Sequence, residues 1–127
     1  MTGRDPSARV VALRGATTVD LDERLELRAR TEELLAELLE RNRVGHDDLV
    51  SIVFTSTQDL TSEFPAVAAR AMGLGDVPLL CAQELAVRDG NPRTVRVLLH
   101  CYSAIPRAQL RHVYLRGARH LRDDLPG

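Results

Sequence analysis

The 127-residue chain has no lysine and no tryptophan. All seventeen basic residues are arginine, and eighteen acidic residues bring the net charge to −1. A polyanion-binding surface needs a basic excess, so nucleic acid is not an expected partner. An arginine-only basic set is what codon bias in a GC-rich genome produces. It also leaves the planar guanidinium fork as the means of gripping carboxylates at two points. Aromatics are scarce, with two Phe and two Tyr, so the core must be largely aliphatic. No apolar run approaches the roughly 18 residues of a membrane span, and residues 1–7 lack the apolar stretch of a signal peptide. The expectation is a cytoplasmic protein with no membrane partner, whose two cysteines, Cys81 and Cys101, stay reduced.

Several catalytic signatures are missing as well. There is no Gly-x-Ser-x-Gly elbow, no phosphate loop ending in Gly-Lys-Ser/Thr, no Cys-x-x-Cys and no His-Glu-x-x-His. His100 and Cys101 are adjacent on a predicted strand and point to opposite faces, a poor geometry for sharing a metal. Cys81 has no histidine partner at a suggestive spacing and suits a small core thiol. Neither a metal nor a cofactor is expected.

What is present reads as a loose extension over residues 1–8 and a single domain over 9–127, long enough to bury a real core. Strands are predicted near 9–14, 49–56, 77–83 and 93–102. The first is ended by Gly15. Leu27, Thr31, Leu34, Leu35 and Leu38 recur at helical spacing, which predicts a helix from about Asp22 to Asn42, stopped by Gly45. Asp20 and Glu23 resemble a capping box, and Glu26–Arg30 and Glu37–Arg41 are i, i+4 pairs in the favourable order. Pro65 opens a second, short helix to Met72. Short helical or extended segments close the chain, with at least one strand among 112–115 and 118–121. The pattern is α+β: a mixed β-sheet with one long and one short helix. One substantial helix covers one sheet face at most, so the other face is expected to pack on other subunits.

The segment from Leu79 to Val97 raises the functional question. It reads as a hairpin whose arms carry Glu84 and Arg96 among apolar neighbours, where an unpaired charge is costly. The two charges either pair with each other for structural reasons or line a pocket for a polar ligand. On the 93–102 strand, Thr94, Arg96, Leu98 and His100 share the face expected to meet water or a pocket, opposite a core face of Val95, Val97, Leu99 and Cys101. Arg14 is either an edge residue or a group aimed into a site, and Phe64 either a staple against the core or a pocket wall. Arginines at segment ends (Arg14, Arg70, Arg96, Arg122), one strand-end glutamate, one thiol and a tyrosine suit the binding of a small, multiply negative molecule.

Arg14-Gly15-Ala16-Thr17-Thr18-Val19, Phe64-Pro65-Ala66 with Arg70, Cys81-Ala82-Gln83-Glu84, Arg96-Val97 and Arg111-His112-Val113-Tyr114-Leu115 follow one another in an order and spacing that resemble the monofunctional chorismate mutases of the AroH class. The likeness runs from about Val10 to Leu125. It implies a trimeric pseudo-α/β-barrel with active sites between subunits, conversion of chorismate to prephenate, and no cofactor. It further implies that Arg96 stands beside the breaking ether bond and a carboxylate as the chief catalytic group, with Glu84 accepting from the ring hydroxyl. Arg14 and Tyr114 would hold a carboxylate, and Cys81 would lie near the ring. Phe64 and Ala66 would wall the pocket from the neighbouring subunit, Leu121 would contribute near the C-terminus, and Arg70 and Arg122 would attract or cover the dianion. Val67 stands where family members can carry a lysine, and Thr57-Gln58-Asp59-Leu60 replaces a familiar Thr-Pro-Asp-Leu. The alternative is a non-mutase trimeric metabolite-binding protein of YjgF-like architecture, which would need no Glu84–Arg96–Tyr114 cluster.

Overall fold

The computed structural model of the protein describes residues 4–122. Five strands and two α-helices follow in the order β1 (Arg9–Thr18), α1 (Arg24–Arg41), β2 (Leu49–Ser56), α2 (Ala66–Ala71), β3 (Leu79–Gln83), β4 (Thr94–Ser103) and β5 (Val113–Tyr114). Short 3-10 helices lie at His46–Asp48, Arg107–Gln109 and Arg116–Arg122. The strands form one sheet in the order β3-β2-β4-β1-β5. Central β4 runs antiparallel to β1 and β2, while the outer strands β3 and β5 run parallel to β2 and β1. This is the expected α+β arrangement of a mixed sheet with one long and one short helix.

The Leu79–Val97 segment is not a hairpin. Its two arms are separated by β2, which pairs with both of them. The chain leaves β2, crosses through α2 and returns as β3 alongside β2, as a parallel pair requires. Residues 84–93 then step over the end of β2 to start β4.

The predicted apolar stripe of α1 is the core stripe: Leu27, Thr31, Leu34, Leu35 and Leu38 are all buried. Leu34, Leu35 and Leu38 pack with Leu13, Ile52, Val97 and Leu99 around one aromatic, Phe54. The helix edges differ from expectation for local reasons. Glu23 occupies the N-cap position without a side-chain cap bond, while Glu26 turns its Oε2 back to the Asp20 and Leu21 amides ahead of the helix. Arg30 consequently pairs with Glu33 at 3.6 Å instead of with Glu26, whereas the Glu37–Arg41 pair forms at 2.6 Å. The helix ends before Gly45, at Asn42. The Asn42 amide donates to the Leu38 and Arg111 carbonyls at 2.9 and 2.8 Å, and Arg43 turns the backbone left-handed at φ 51°.

Gly15 does not end the first strand. β1 continues to Thr18 because β4 pairs with it throughout, from Arg9–Ser103 to Thr18–Thr94. The glycine serves helix packing instead. A Cβ at that position would come within 3.0 Å of the Cδ1 atoms of Leu34 and Leu38, so its absence lets α1 settle on the sheet.

Among the described residues, only one face of the sheet is covered by helices. On the other, strand register aligns Arg14, Leu98, Val53 and Leu80 in one row and Ala16, Arg96, Thr55 and Ala82 in the next. Val10, Leu98 and Tyr102 are exposed there, and Leu80 is 62% exposed. Arg4 binds the far end of this face, stacking 4.1 Å from the Tyr102 ring centroid and bonding Asp48 Oδ1 at 2.9 Å.

Candidate active site

The open face gathers the charged residues that the sequence singles out. Arg96 projects from β4, flanked by Ala16 of β1 and Thr55 of β2. Arg14, two residues before Ala16, and Tyr114, paired with Ala16 from the other side, complete a groove of about 300 Å3 lined also by Val53 and Leu98. Arg14's own amide donates to His112 Nδ1 at 3.0 Å, tying β1 to the approach to β5. Two guanidinium groups and a phenol therefore border one depression. No carboxylate among the described residues lines it.

Glu84 reaches Arg96 from the opposite side. It follows the last residue of β3, and its amide donates to the Ser56 carbonyl at 2.9 Å, which fixes its backbone at the end of β2. Its Oε1 forms an ion pair with Arg96 Nε. The two charges thus do pair, one of the arrangements open from sequence. The pair is not closed on itself, however. Glu84's side chain is 15% exposed and its Oε2 is buried without a hydrogen-bond partner, while Arg96 is 41% exposed and makes no other ion pair among the described residues. A buried acceptor left unpaired is costly, and a ligand hydroxyl would relieve it. Both residues border a second groove of about 410 Å3 with Thr55, Thr57, Gln83 and Asn91. Arg96 and Thr55 line both depressions and form the ridge between them.

The remaining candidates divide. Phe64 and Cys81 line a third groove of about 390 Å3 beyond the edge of β2, with Ser56, Thr61 and Gln83. Phe64 is 67% exposed, so it is not a staple against the core. Ala66 lies inside the core with Ala68 and Ala69, beneath the loop that presents Phe64. Arg70 is exposed at the end of α2 and Leu121 is half-buried in the last 3-10 helix. Arg122 ends that helix, and its side chain lies outside the described residues. Of the predicted β4 face, Thr94 departs: it is fully buried, its hydroxyl donating to the Asn91 and Pro92 carbonyls. Cys101 is a core thiol that burial pushes up to about 11, which makes it a poor nucleophile. Both cysteines are free thiols. No cluster of three metal-ligating side chains occurs among the described residues.

Sequence reasoning missed Thr55 and Asn91 as lining residues. The alternation of β2 could have found Thr55, which shares a face with Val53 and Ser51. Asn91 had no comparable signal, because it sits in the irregular connection.

Fold and site together define a small α+β protein whose open sheet face gathers two arginines, a tyrosine and a paired glutamate around two adjoining grooves. Comparison with known proteins gives the family. The family model for chorismate mutase type I matches residues 10–125. A chorismate mutase AroH from Thermus thermophilus is 45% identical over 117 residues, covering 91% of this chain and 96% of that one. The chorismate mutase AroH of Bacillus subtilis is 39% identical over 114 residues, covering 89% and 90%. Among solved structures, a chorismate mutase from Clostridium thermocellum superposes with a TM-score of 0.85 at 41% identity, covering 87% of this chain and 98% of that one. The chain belongs to the chorismate mutase type I family.

Proposed function

We propose that this chorismate mutase rearranges chorismate to prephenate by holding the substrate in its reactive chair and stabilising the charge that separates as the ether bond breaks. The observation that carries the reading is the placement of Arg96 between two grooves, paired with Glu84 on one side and standing near Arg14 and Tyr114 on the other. The reaction is unimolecular: one C–O bond breaks and one C–C bond forms within the substrate, with no proton transfer. The protein's task is positioning and preorganised electrostatics. Arg96 donates to the ether oxygen as negative charge builds there. Its pairing with Glu84 orients the guanidinium beforehand, so little reorganisation accompanies the reaction. Glu84 keeps Oε2 for the ring hydroxyl, on the side where positive character develops. Arg14 and Tyr114 hold a substrate carboxylate, and Arg70 and Arg122 add outer positive charge.

The cleft is completed by a neighbouring copy in a homotrimer. In support, the sheet has one uncovered apolar face, and Phe64 and Cys81 border a separate groove from Arg14 and Tyr114. In the assembly Phe64 of one subunit, carried on the loop above Ala66, walls the arginine groove of the next, with Cys81 near the ring and Leu121 at the rim. No helix among the described residues is long and apolar enough to cross a membrane; with two free thiols, a cytoplasmic enzyme is the matching setting. Purified protein is expected to abolish the absorbance of chorismate and to elute as a trimer by light scattering. Unchanged absorbance would overturn the activity, and a monomer that is fully active would overturn the shared cleft.

A further inference from the structure

We propose that Asp59 is a positioning residue for the Glu84–Arg96 pair, acting through Thr57 and the backbone of Arg93 and Thr94; the inference rests on the catalytic role proposed above for that pair. Residues 84–93 form a strap whose two ends deliver Glu84 and, three residues beyond it, Arg96. Both ends are fastened to consecutive residues at the end of β2. At one end the Glu84 amide donates to the Ser56 carbonyl at 2.9 Å. At the other, the Thr57 amide donates to the Thr94 carbonyl, and the Thr94 amide donates to Thr57 Oγ1, both at 3.0 Å.

The first fastening is purely backbone. The second depends on a side chain. Thr57 Oγ1, while accepting from Thr94, donates its own proton to Asp59 Oδ1 at 2.5 Å. The other oxygen, Asp59 Oδ2, accepts from the Arg93 amide at 2.9 Å. Arg93 is held at φ 44°, a left-handed conformation uncommon for a residue with a side chain, and one that persists only where the surroundings enforce it. The Asp59 carboxylate is one of those enforcing contacts; the second is Arg93 Nε donating to the Val19 carbonyl at 3.1 Å. One carboxylate thereby fixes the turn residue before β4 and the orientation of the hydroxyl that grips the first residue of β4. Arg96 follows two positions later along β4.

The chemistry of the contact gives a sharp substitution. Both oxygens of Asp59 accept hydrogen bonds. An asparagine can keep both links, its carbonyl accepting from the Arg93 N–H and its amide donating to the second lone pair of Thr57 Oγ1, so the substitution that removes them is Asp59→Ala. Asp59 itself is exposed and lines none of the three grooves described above. Its loss shifts Arg96 relative to Glu84 while leaving Arg14 and Tyr114 in place. The effect should fall on transition-state stabilisation more than on substrate binding.

The test is kcat and KM for chorismate with the full chain, measured well below each variant's Tm, for the wild type, Asp59→Ala, Thr57→Val and Arg96→Ala. Small misplacements of a catalytic group cost up to about a hundredfold, so Asp59→Ala and Thr57→Val are each expected to lower kcat about tenfold with KM within about twofold. In an Arg93→Gly background the left-handed turn needs no enforcement, and the loss from Asp59→Ala should shrink. A folded Asp59→Ala or Thr57→Val enzyme with wild-type kcat overturns the proposal, as does a loss of equal size in the Arg93→Gly background. If Asp59→Ala does not fold, Thr57→Val decides, and because Thr57 also borders the Glu84 groove, a rise in KM in place of the fall in kcat overturns the proposal. Arg96→Ala separates the layers: wild-type turnover in that variant overturns the role of the pair, whereas a crippled Arg96→Ala beside an unaffected Asp59→Ala overturns only the positioning.

Discussion

The two faces of the sheet are built from the same strands to opposite ends. Along β4 the odd positions Val95, Val97, Leu99 and Cys101 are buried in the core clusters. The even positions Arg96, Leu98 and His100 stand on the face that this chain leaves uncovered. Strand alternation makes the two sets inseparable: any register that buries Val97 and Leu99 under α1 also turns Arg96 outward. The core face derives its stability from packing, and the open face derives its chemistry from being unpacked. In a protein of this size the arginine proposed as catalytic need not be buried by its own chain where, as proposed, a neighbour supplies the wall.

Substitutions that separate these roles test the division. The largest effect is expected for Arg96→Ala on the open face. Removing one preorganised donor from a developing oxyanion costs about 3–4 kcal/mol, a loss of roughly a hundred- to a thousandfold in kcat. Tm should fall as well, because Glu84, only 15% exposed, loses its ion-pair partner, so turnover is compared well below the variant's Tm. Arg96→Lys should recover little, because an ammonium cannot reproduce the fork. Near wild-type turnover in a folded Arg96→Ala enzyme would break the comparison.

Leu38→Ala is the converse on the covered face. Leu38 is fully buried against Gly15 and the β1 side of the core. Truncation should lower unfolding stability by about 3 kcal/mol in a denaturant titration. Turnover per folded molecule should stay near wild type, because the groove residue that borders the cavity, Gly15, meets it with backbone alone and presents no side chain to the groove. A comparable loss of kcat at full folding would show that the two faces are coupled through the sheet.

How much of this was legible beforehand follows from the reach of each signal. Helix α1 and strand β2 could be read closely because their periodicities are local: Leu27, Leu34 and Leu38 at helical spacing, and the apolar run from Leu49. The hairpin was misread because pairing partners are not local. The connection after Glu84 has the turn residues a hairpin would use, and nothing in residues 79–97 shows that β2, thirty residues earlier, occupies the space between. Gly15 was misread as a terminator because a glycine that admits a helix and a glycine that ends a strand look alike without the helix in view. Arg14, Glu84, Arg96 and Tyr114, which the fold brings to two adjoining grooves, were singled out by their chemistry and by resemblance. Asp59 was not singled out as a support for them. Its two links to Arg93 and Thr57 become visible only when the loop after β2 is seen folded against the start of β4.

The smallest expected effect concerns how firmly the open side's loops are held compared with the core strands. Asp22, just before α1, accepts from the Thr61 amide at 3.1 Å, the Thr61 hydroxyl at 3.0 Å and the Ser62 amide at 3.0 Å. This tethers the loop that leads to Phe64. The Ser62 hydroxyl and the Thr61 amide beside it hold the Asp22 carboxyl below its ordinary value of 3.8. A depressed carboxylate contributes its stabilisation above the unfolded-state value and loses it as pH falls through the lower folded-state value. The tether is therefore complete at neutral pH and is released only in acid below 3.8. Amide hydrogen exchange should show Thr61 and Ser62 losing protection in that range, before the β1 and β4 amides do. Asp22→Ala should bring the same loss at neutral pH and leave core protection unchanged. If Thr61 and Ser62 exchange identically in both proteins, the loop is held by Phe64's surroundings and not by Asp22.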